Sequence, residues 1–240
     1  MTRSVGHTLA TLLGAALLAI ISGLSQANAA SEMATRYKAN STATYVGIAG
    51  WQNIRTDPPT HSDEAYVHFA QVLKTGEANG DFVAVGSANG VGVQDCPDQY
   101  NGKWDVYTDG RIGGVYFCHT HDVNRFSAGD DIPFKILRVN CGTISDPLYG
   151  WNMSMAGHDW ACYATSWGTG QMLSVGLEHA GTSATYQTDR NLDVKYTNLQ
   201  VKPTGGTWSD FLVGQGHTDP SYTETYLTDT SAKMYLAPWD

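Results

Sequence analysis

The 240-residue chain carries 14 Lys and Arg against 23 Asp and Glu, a formal net charge of −9. An acidic surface repels phosphate backbones and anionic lipid, so nucleic acid and membrane surfaces are set aside as partners. Charged residues make up only 15% of the chain, while 26 glycines and 11% aromatic residues fill the gap. That is the composition of a turn-rich β-protein, not of a helical bundle.

The chain opens with Arg3, then a mostly apolar, uncharged run from Leu9 to Leu24, then Ala27-Asn28-Ala29 with small residues at both peptidase-read positions. This pattern predicts a signal peptide over residues 1–29, because the apolar run is too short for a membrane span and ends in a cleavage motif. The expected product starts at Ala30 and is secreted and extracellular. Residues 30–41 have linker-like composition and read as a flexible N-terminus, with a single domain over 42–240.

No apolar residues recur at i, i+3, i+4, i+7 after the leader, so no long helix is expected. Strand patterns follow one another instead. Ala43 to Ala49 is the first, and Ala65 to Leu73 (AYVHFAQVL) comes after the Asp57-Pro58-Pro59 loop. Asp81 to Gly86 is next. Lys103 to Thr108 and Gly114 to His119 flank Asp109-Gly110, a hairpin-turn dipeptide. The remaining strands are read at Ile132 to Val139, Asp159 to Trp167, Gln171 to His179, Leu192 to Val201, Trp208 to Val213 and Tyr222 to Leu227. About eleven short strands broken by Gly, Asn and Asp predict an all-β fold: one two-sheet, jelly-roll-like sandwich.

Four cysteines, Cys96, Cys118, Cys141 and Cys162, in an oxidising compartment predict two disulfides. Of the three connectivities, Cys96–Cys118 and Cys141–Cys162 are favoured because each closes a short loop, which contributes roughly 3 kcal/mol. No CxxC pair supports zinc binding instead. Asn40-Ser41-Thr42 and Asn152-Met153-Ser154 are glycosylation sequons that matter only in a eukaryotic host.

The order of strands carries a resemblance. Ala65 to Val72 (AYVHFAQV), Phe82 to Gly86 (FVAVG), Trp104-Asp105-Val106-Tyr107, Phe126-Ser127-Ala128-Gly129-Asp130, and Leu173 to Glu178 (LSVGLE) before Leu192 to Val201 together resemble the glutamic-peptidase-like, concanavalin A-like sandwich. The likeness runs over most of Thr42 to Phe211. It implies a Gln–Glu pair, in which Glu activates water while Gln holds it and stabilises the oxyanion. The Gln position falls on Ala84. The Glu position falls on Ser174, or on Glu178 if the register slips by four, which keeps the strand face. Ala84 can neither orient water nor donate to an oxyanion. Gln71 or Gln94 would serve only through a different geometry.

From the residues themselves, Leu173, Val175 and Leu177 alternate as a core face, while Met172, Ser174, Gly176 and Glu178 point the other way. A carboxylate beside small residues suits a groove that admits a ligand. Glu178 is therefore the candidate catalytic residue, with Asp105 as a possible second carboxylate. Trp104, Tyr107, Tyr116 and Trp167 are the candidate ligand-binding rings, since flat aromatics beside acids and amides suit sugar and peptide grooves. His119 and His121, at i, i+2 beside Asp122, come nearest to a metal-ligand pattern, but no metal and no cofactor is predicted. No GxSxG, HExxH or P-loop pattern occurs.

Three functions stay open. The first is an extracellular binding or interaction module for a glycan, cell-envelope or protein ligand on a concave aromatic and acidic sheet. The second is a secreted hydrolase, peptidase or glycosidase, using Glu178. The third is a structural component of an extracellular assembly.

Overall fold

The structure is a computed structural model. It describes residues 30–39, 44–55, 65–75, 80–90, 103–181, 193–211, 215–218, 222–228 and 231–236. The expected signal peptide lies outside the described residues. Among the described residues there is no helix. The strands are β1 (Ala30–Ala39), β2 (Tyr45–Ile54), β3 (Ala65–Leu73), β4 (Phe82–Gly90), β5 (Trp104–Ile112), β6 (Val115–Phe126), β7 (Asp131–Asn140) and β8 (Tyr149–Met155). They continue as β9 (His158–Ala164), β10 (Met172–Gly181), β11 (Asp193–Pro203), β12 (Ser209–Asp210), β13 (Gln215–Thr218), β14 (Tyr222–Thr228) and β15 (Ser231–Leu236).

Seven strands form one sheet in the order β13-β1-β10-β3-β4-β5-β6. Eight form the other, β14-β15-β11-β2-β7-β8-β9 with β12 beside β11. Period-two alternation decides how they stack. Leu173, Val175 and Leu177 of β10 join Val83 and Val85 of β4 and Val106 of β5 on the inner face. There they meet Ile48, Phe134, Ile136, Met153 and Val201 of the opposite sheet in one apolar cluster.

Polar groups interrupt this core at one place. Gln52 of β2 is buried and donates from Nε2 to Ser87 Oγ of β4 at 2.5 Å. The same amide lies 3.2 Å from His68 Nδ1 of β3, and Ser87 Oγ is also 3.2 Å from that nitrogen. The His68 ring stacks on Trp104 at 4.1 Å between centroids. A second link crosses nearby, where the Tyr196 hydroxyl of β11 shares its proton between the carbonyls of Gly176 (2.7 Å) and Phe69 (3.1 Å) on the facing sheet.

Strands β3 and β4 approach closely at Gly86. Its absent side chain would point to the outer face, and a Cβ there would collide with the His68 carbonyl oxygen of β3. Only glycine permits so close an approach.

Several elements differ from the sequence reading. The turn between β5 and β6 is Gly113-Gly114, with φ of 60° and 82°, and not Asp109-Gly110. Both dipeptides suit a two-residue hairpin. Asp109 and Gly110 instead sit inside β5, opposite Cys118 and Phe117. Gly110 is small because the Phe117 ring lies over it. Residues 30–39, read as flexible, form β1 and pair with β10 along their whole length. Strand β8 was not anticipated, and Trp208 to Val213 shrinks to the two-residue β12.

Among the described residues one disulfide has both partners, Cys141–Cys162, with Cα atoms 5.6 Å apart, as paired from the sequence. It ties the loop after β7 to β9. Cys118 is disulfide-bonded as well. Cys96, half of the other expected pair, lies outside the described residues.

Gly86→Ala is expected to destabilise the fold by at least about 2 kcal/mol, because the clash is with backbone that cannot swing aside. Urea unfolding of the variant beside Gly113→Asn, a substitution that a turn of this type accepts, measures it. Equal midpoints for the two variants would contradict that close approach.

Candidate functional site

The strand register sets the outer face of the seven-stranded sheet in rows. Ser174 of β10 lies opposite Gln71 of β3, Gln71 opposite Ala84 of β4, Ala84 opposite Asp109 of β5, and Asp109 opposite Cys118 of β6. The next row is Gly176, Phe69, Gly86, Tyr107 and Thr120. The row beyond holds Glu178, Val67, Ala88 and Asp105. Directly paired residues point to one side, so Glu178, Asp105, Asp109, Gln71, Ser174 and Tyr107 share this outer face. All six are buried. Phe69, Ala88, Tyr107 and Cys118 pack together between the polar positions, with Tyr116 against them.

The carboxyl groups interact. Burial drives the Asp109 pKa up from 3.8 to about 8. The Tyr116 hydroxyl and the Gly110 N–H hydrogen-bond to it and oppose that rise, whereas the nearby Glu178 charge reinforces it. Asp109 is therefore a protonated acid at neutral pH. Burial also holds the Tyr107 phenol well above its usual value, helped by the charges of Asp109 and Glu178. Three strand spacings of ~4.8 Å part β10 from β5. Ser174 Oγ and Asp109 Oδ1 are buried oxygens with no hydrogen-bond partner among the described residues.

The residues singled out from the sequence fall in different places. Glu178 and Tyr107 lie on this face, with Tyr116 at its margin and half-buried. Asp105 is in the same row as Glu178, three strands away. Trp104 points the other way, into the inner core under His68. Trp167 is buried against Trp151 at 5.0 Å. Both tryptophans are core side chains in this conformation.

Trp160 owes its position to an irregularity. Met153 pairs with Ala161 but Ser154 with Asp159, so Trp160 is the extra residue of a β-bulge, where the alternation of faces along a strand is broken. Its Nε1–H donates to the Met155 carbonyl at 2.9 Å. Its ring stacks on His121 at 5.5 Å. His121 Nε2 lies 2.6 Å from Thr108 Oγ1, and burial lowers its pKa, with the neighbouring His119 acting in the same direction. The His119 and His121 rings are 6.3 Å apart. Among the described residues no group of three His, Cys, Asp or Glu side chains could hold a metal ion.

Asp109 is the residue that sequence reading missed. It was absorbed into a supposed turn, although Asp105, Tyr107 and Asp109 at i, i+2, i+4 already formed one strand face. Gln71 was weighed only as a distant substitute, yet it stands between Ala84 and Ser174, the two positions the family resemblance singles out.

Two buried groups set the pH dependence of stability in opposite senses. Burial lowers the His68 pKa from 6.5 to about 3, so the unfolded chain takes up that proton first and stability is lost as pH falls from 6.5 toward 3. The Asp109 pKa is raised from 3.8 to about 8, so the unfolded chain releases that proton first and stability is lost as pH rises from 3.8 toward 8. Each slope is about 1.4 kcal/mol per pH unit, and between pH 3.8 and 6.5 they cancel. Urea midpoints are expected to be level in that window and to fall on either side. Asp109→Asn should remove the fall above pH 6.5. A wild-type midpoint level up to pH 8 would sink the Asp109 assignment.

No protein-family model matches the chain, and no curated protein matches it in sequence. Solved structures do match. Scytalido-glutamic peptidase, bound to a transition-state analogue inhibitor, superposes with a TM-score of 0.51 at 10% identity, covering 88% of this chain and 100% of that one. The same peptidase with a peptide-based transition-state analogue gives 0.50, with the same identity and coverage. Sheep galectin-11 covers 66% of this chain and 97% of its own at 12% identity, but its TM-score of 0.33 is too low to carry an argument. What the chain shares with the peptidase is its fold, two antiparallel sheets packed face to face, as the order of strand motifs in the sequence implied.

Proposed function

We propose that the protein is a secreted binding module, a jelly-roll-like sandwich whose ligand lies along the concave acidic face of the seven-stranded sheet. The row Ser174, Gln71, Ala84, Asp109 is the observation that supports this most. An amide is present, but its direct neighbours are a hydroxyl and a methyl where a glutamic peptidase needs a Gln–Glu pair. The face keeps chemistry suited to holding a polar chain. Asp109 offers a proton, Glu178 and Asp105 accept hydrogen bonds, and Phe69 and Tyr107 give apolar surface between them. A fold-mate holds a peptide-based analogue, which makes an extended peptide the first ligand to try, ahead of a glycan or envelope material.

A second reading rests on the raised pKa of Asp109. An acid that keeps its proton at neutral pH beside a second carboxyl group is the division of labour used for acid–base hydrolysis. Glu178 would take a proton from water while Asp109 gives one to the leaving group. Such activity should decline as pH rises through about 8.

Calorimetric titration of a panel of unstructured peptides into the full chain at pH 6 tests both readings. Glu178→Gln is expected to weaken the strongest binding at least 10-fold with the thermal midpoint retained, and the wild type should leave casein and nitrophenyl glycosides intact. Turnover of either substrate that is lost in Glu178→Gln would establish the hydrolase reading instead. Unchanged peptide affinity in that variant would remove this face from the function.

A further inference from the structure

The outer face of the eight-stranded sheet carries a groove of about 490 Å³, lined among others by Trp51, Asn198, Gln200 and Asp210. Ala49, Lys135 and Ser154 lie in adjacent register across β2, β7 and β8 and form its floor. Trp51 is 40% exposed, in contrast to the buried Trp104, Trp151 and Trp167. A large ring held out to water at the wall of a cleft needs an explanation that scattered surface residues do not.

The groove is built by irregular backbone. β11 slips register between Thr197 and Gln200, and Asn198 at the slip has φ of 50°, the left-handed region that costs a side-chain-bearing residue free energy. The slip turns Leu199 into the core and leaves the side chains of Asn198 and Gln200 exposed. Strand β12 then pairs with β11 at Gln200 and Val201 and brings Asp210 to the rim. On the floor, the Ser154 hydroxyl donates to Asp159 Oδ1 at 2.5 Å and Asn152 Nδ2 donates to the same oxygen at 2.8 Å, which fixes the Ser154 rotamer.

We propose that this groove is a saccharide-binding subsite, with a sugar ring stacked on Trp51. Three observations on the site converge. The indole presents a flat apolar surface of the kind that matches the C–H face of a pyranose. The amides of Asn198 and Gln200 each offer donors and an acceptor, the mixture that sugar hydroxyls require and that an apolar ligand would leave unpaired. Lys135 faces the charge of Asp159 as well as sharing the groove with Asp210, so the site has no excess positive charge to hold an anion and suits a neutral ligand hydrogen-bonded by the amides. The volume falls in the range of small-ligand sites and suits a short oligosaccharide. The proposal is independent of what the concave face binds.

The test is calorimetric titration of the intact chain with cello-, xylo-, chito- and malto-oligosaccharides, four defined neutral series. At least one series is expected to bind, Trp51→Ala to lose at least 10-fold in affinity with an unchanged thermal midpoint, and Gln200→Ala to lose several-fold. Glu178→Gln should bind that sugar as the wild type does, which separates failure of this subsite from failure of the peptide face. Absence of binding in all four series would overturn the proposal. So would sugar binding that survives Trp51→Ala, or a peptide that binds in a Trp51-dependent way when no sugar does.

Discussion

Gln52 reaching across an apolar core to Ser87 and His68 constrains the whole sandwich. Buried polar groups cost several kcal/mol unless each finds its partner, and here each partner sits on a different strand. The geometry works in one register of β2 against β3 and β4 only. A slip of one residue in β3 or β4 would turn His68 or Ser87 out of the core and leave Gln52 without that partner. The hydroxyl of Tyr196, set against the Phe69 and Gly176 carbonyls, fixes the seam of β3 and β10 in the same way. The polar pairing thus fixes β3 and β4, the two strands that lie between the acids of β10 and β5.

That face separates fold from chemistry. The chain shares the two-sheet fold of a glutamic peptidase and carries an amide, Gln71, on this face. The positions on either side of that amide are Ala84 and Ser174, and neither provides a base. Its carboxyl groups lie elsewhere: Asp109 one strand beyond Ala84, Glu178 four residues beyond Ser174. Burial sets the character of Asp109, since a carboxyl deprived of water prefers to stay neutral.

Where side-chain period alone decides, the sequence was readable. Ala65 to Leu73 has the bounds of β3, and the two faces of β10 are as its alternation implied. Where two local signals compete, tertiary context decided. Asp109-Gly110 and Gly113-Gly114 are equally good turns in isolation, and only the pairing of Asp109 with Ala84 and Cys118 selects the second. Strand β8, YGWNMSM, lacks β-branched residues and became a strand because Trp151, Met153 and Met155 fill the core. The rings of Trp104 and Trp167 could not be assigned to surface or interior from composition, since both uses favour the same residues. The groove beside Trp51 depends on a slip in β11, and nothing in the local pattern of Thr197 to Gln200 announces one.

The bulge at Trp160 also bears on how copies of this protein behave toward one another. β9 is the edge strand of its sheet, and an edge strand presents unpaired backbone groups to which another chain can add. Here the strand is short. It starts with His158 and Asp159 at the surface, is kinked by the extra residue, and is tied at Cys162 to the loop after β7. Each of these makes a straight incoming strand a poor fit. Removing the bulge or cutting the disulfide would flatten that border, and the cost would be paid in solubility, as edge-to-edge aggregation at high concentration, before it was seen in the fold.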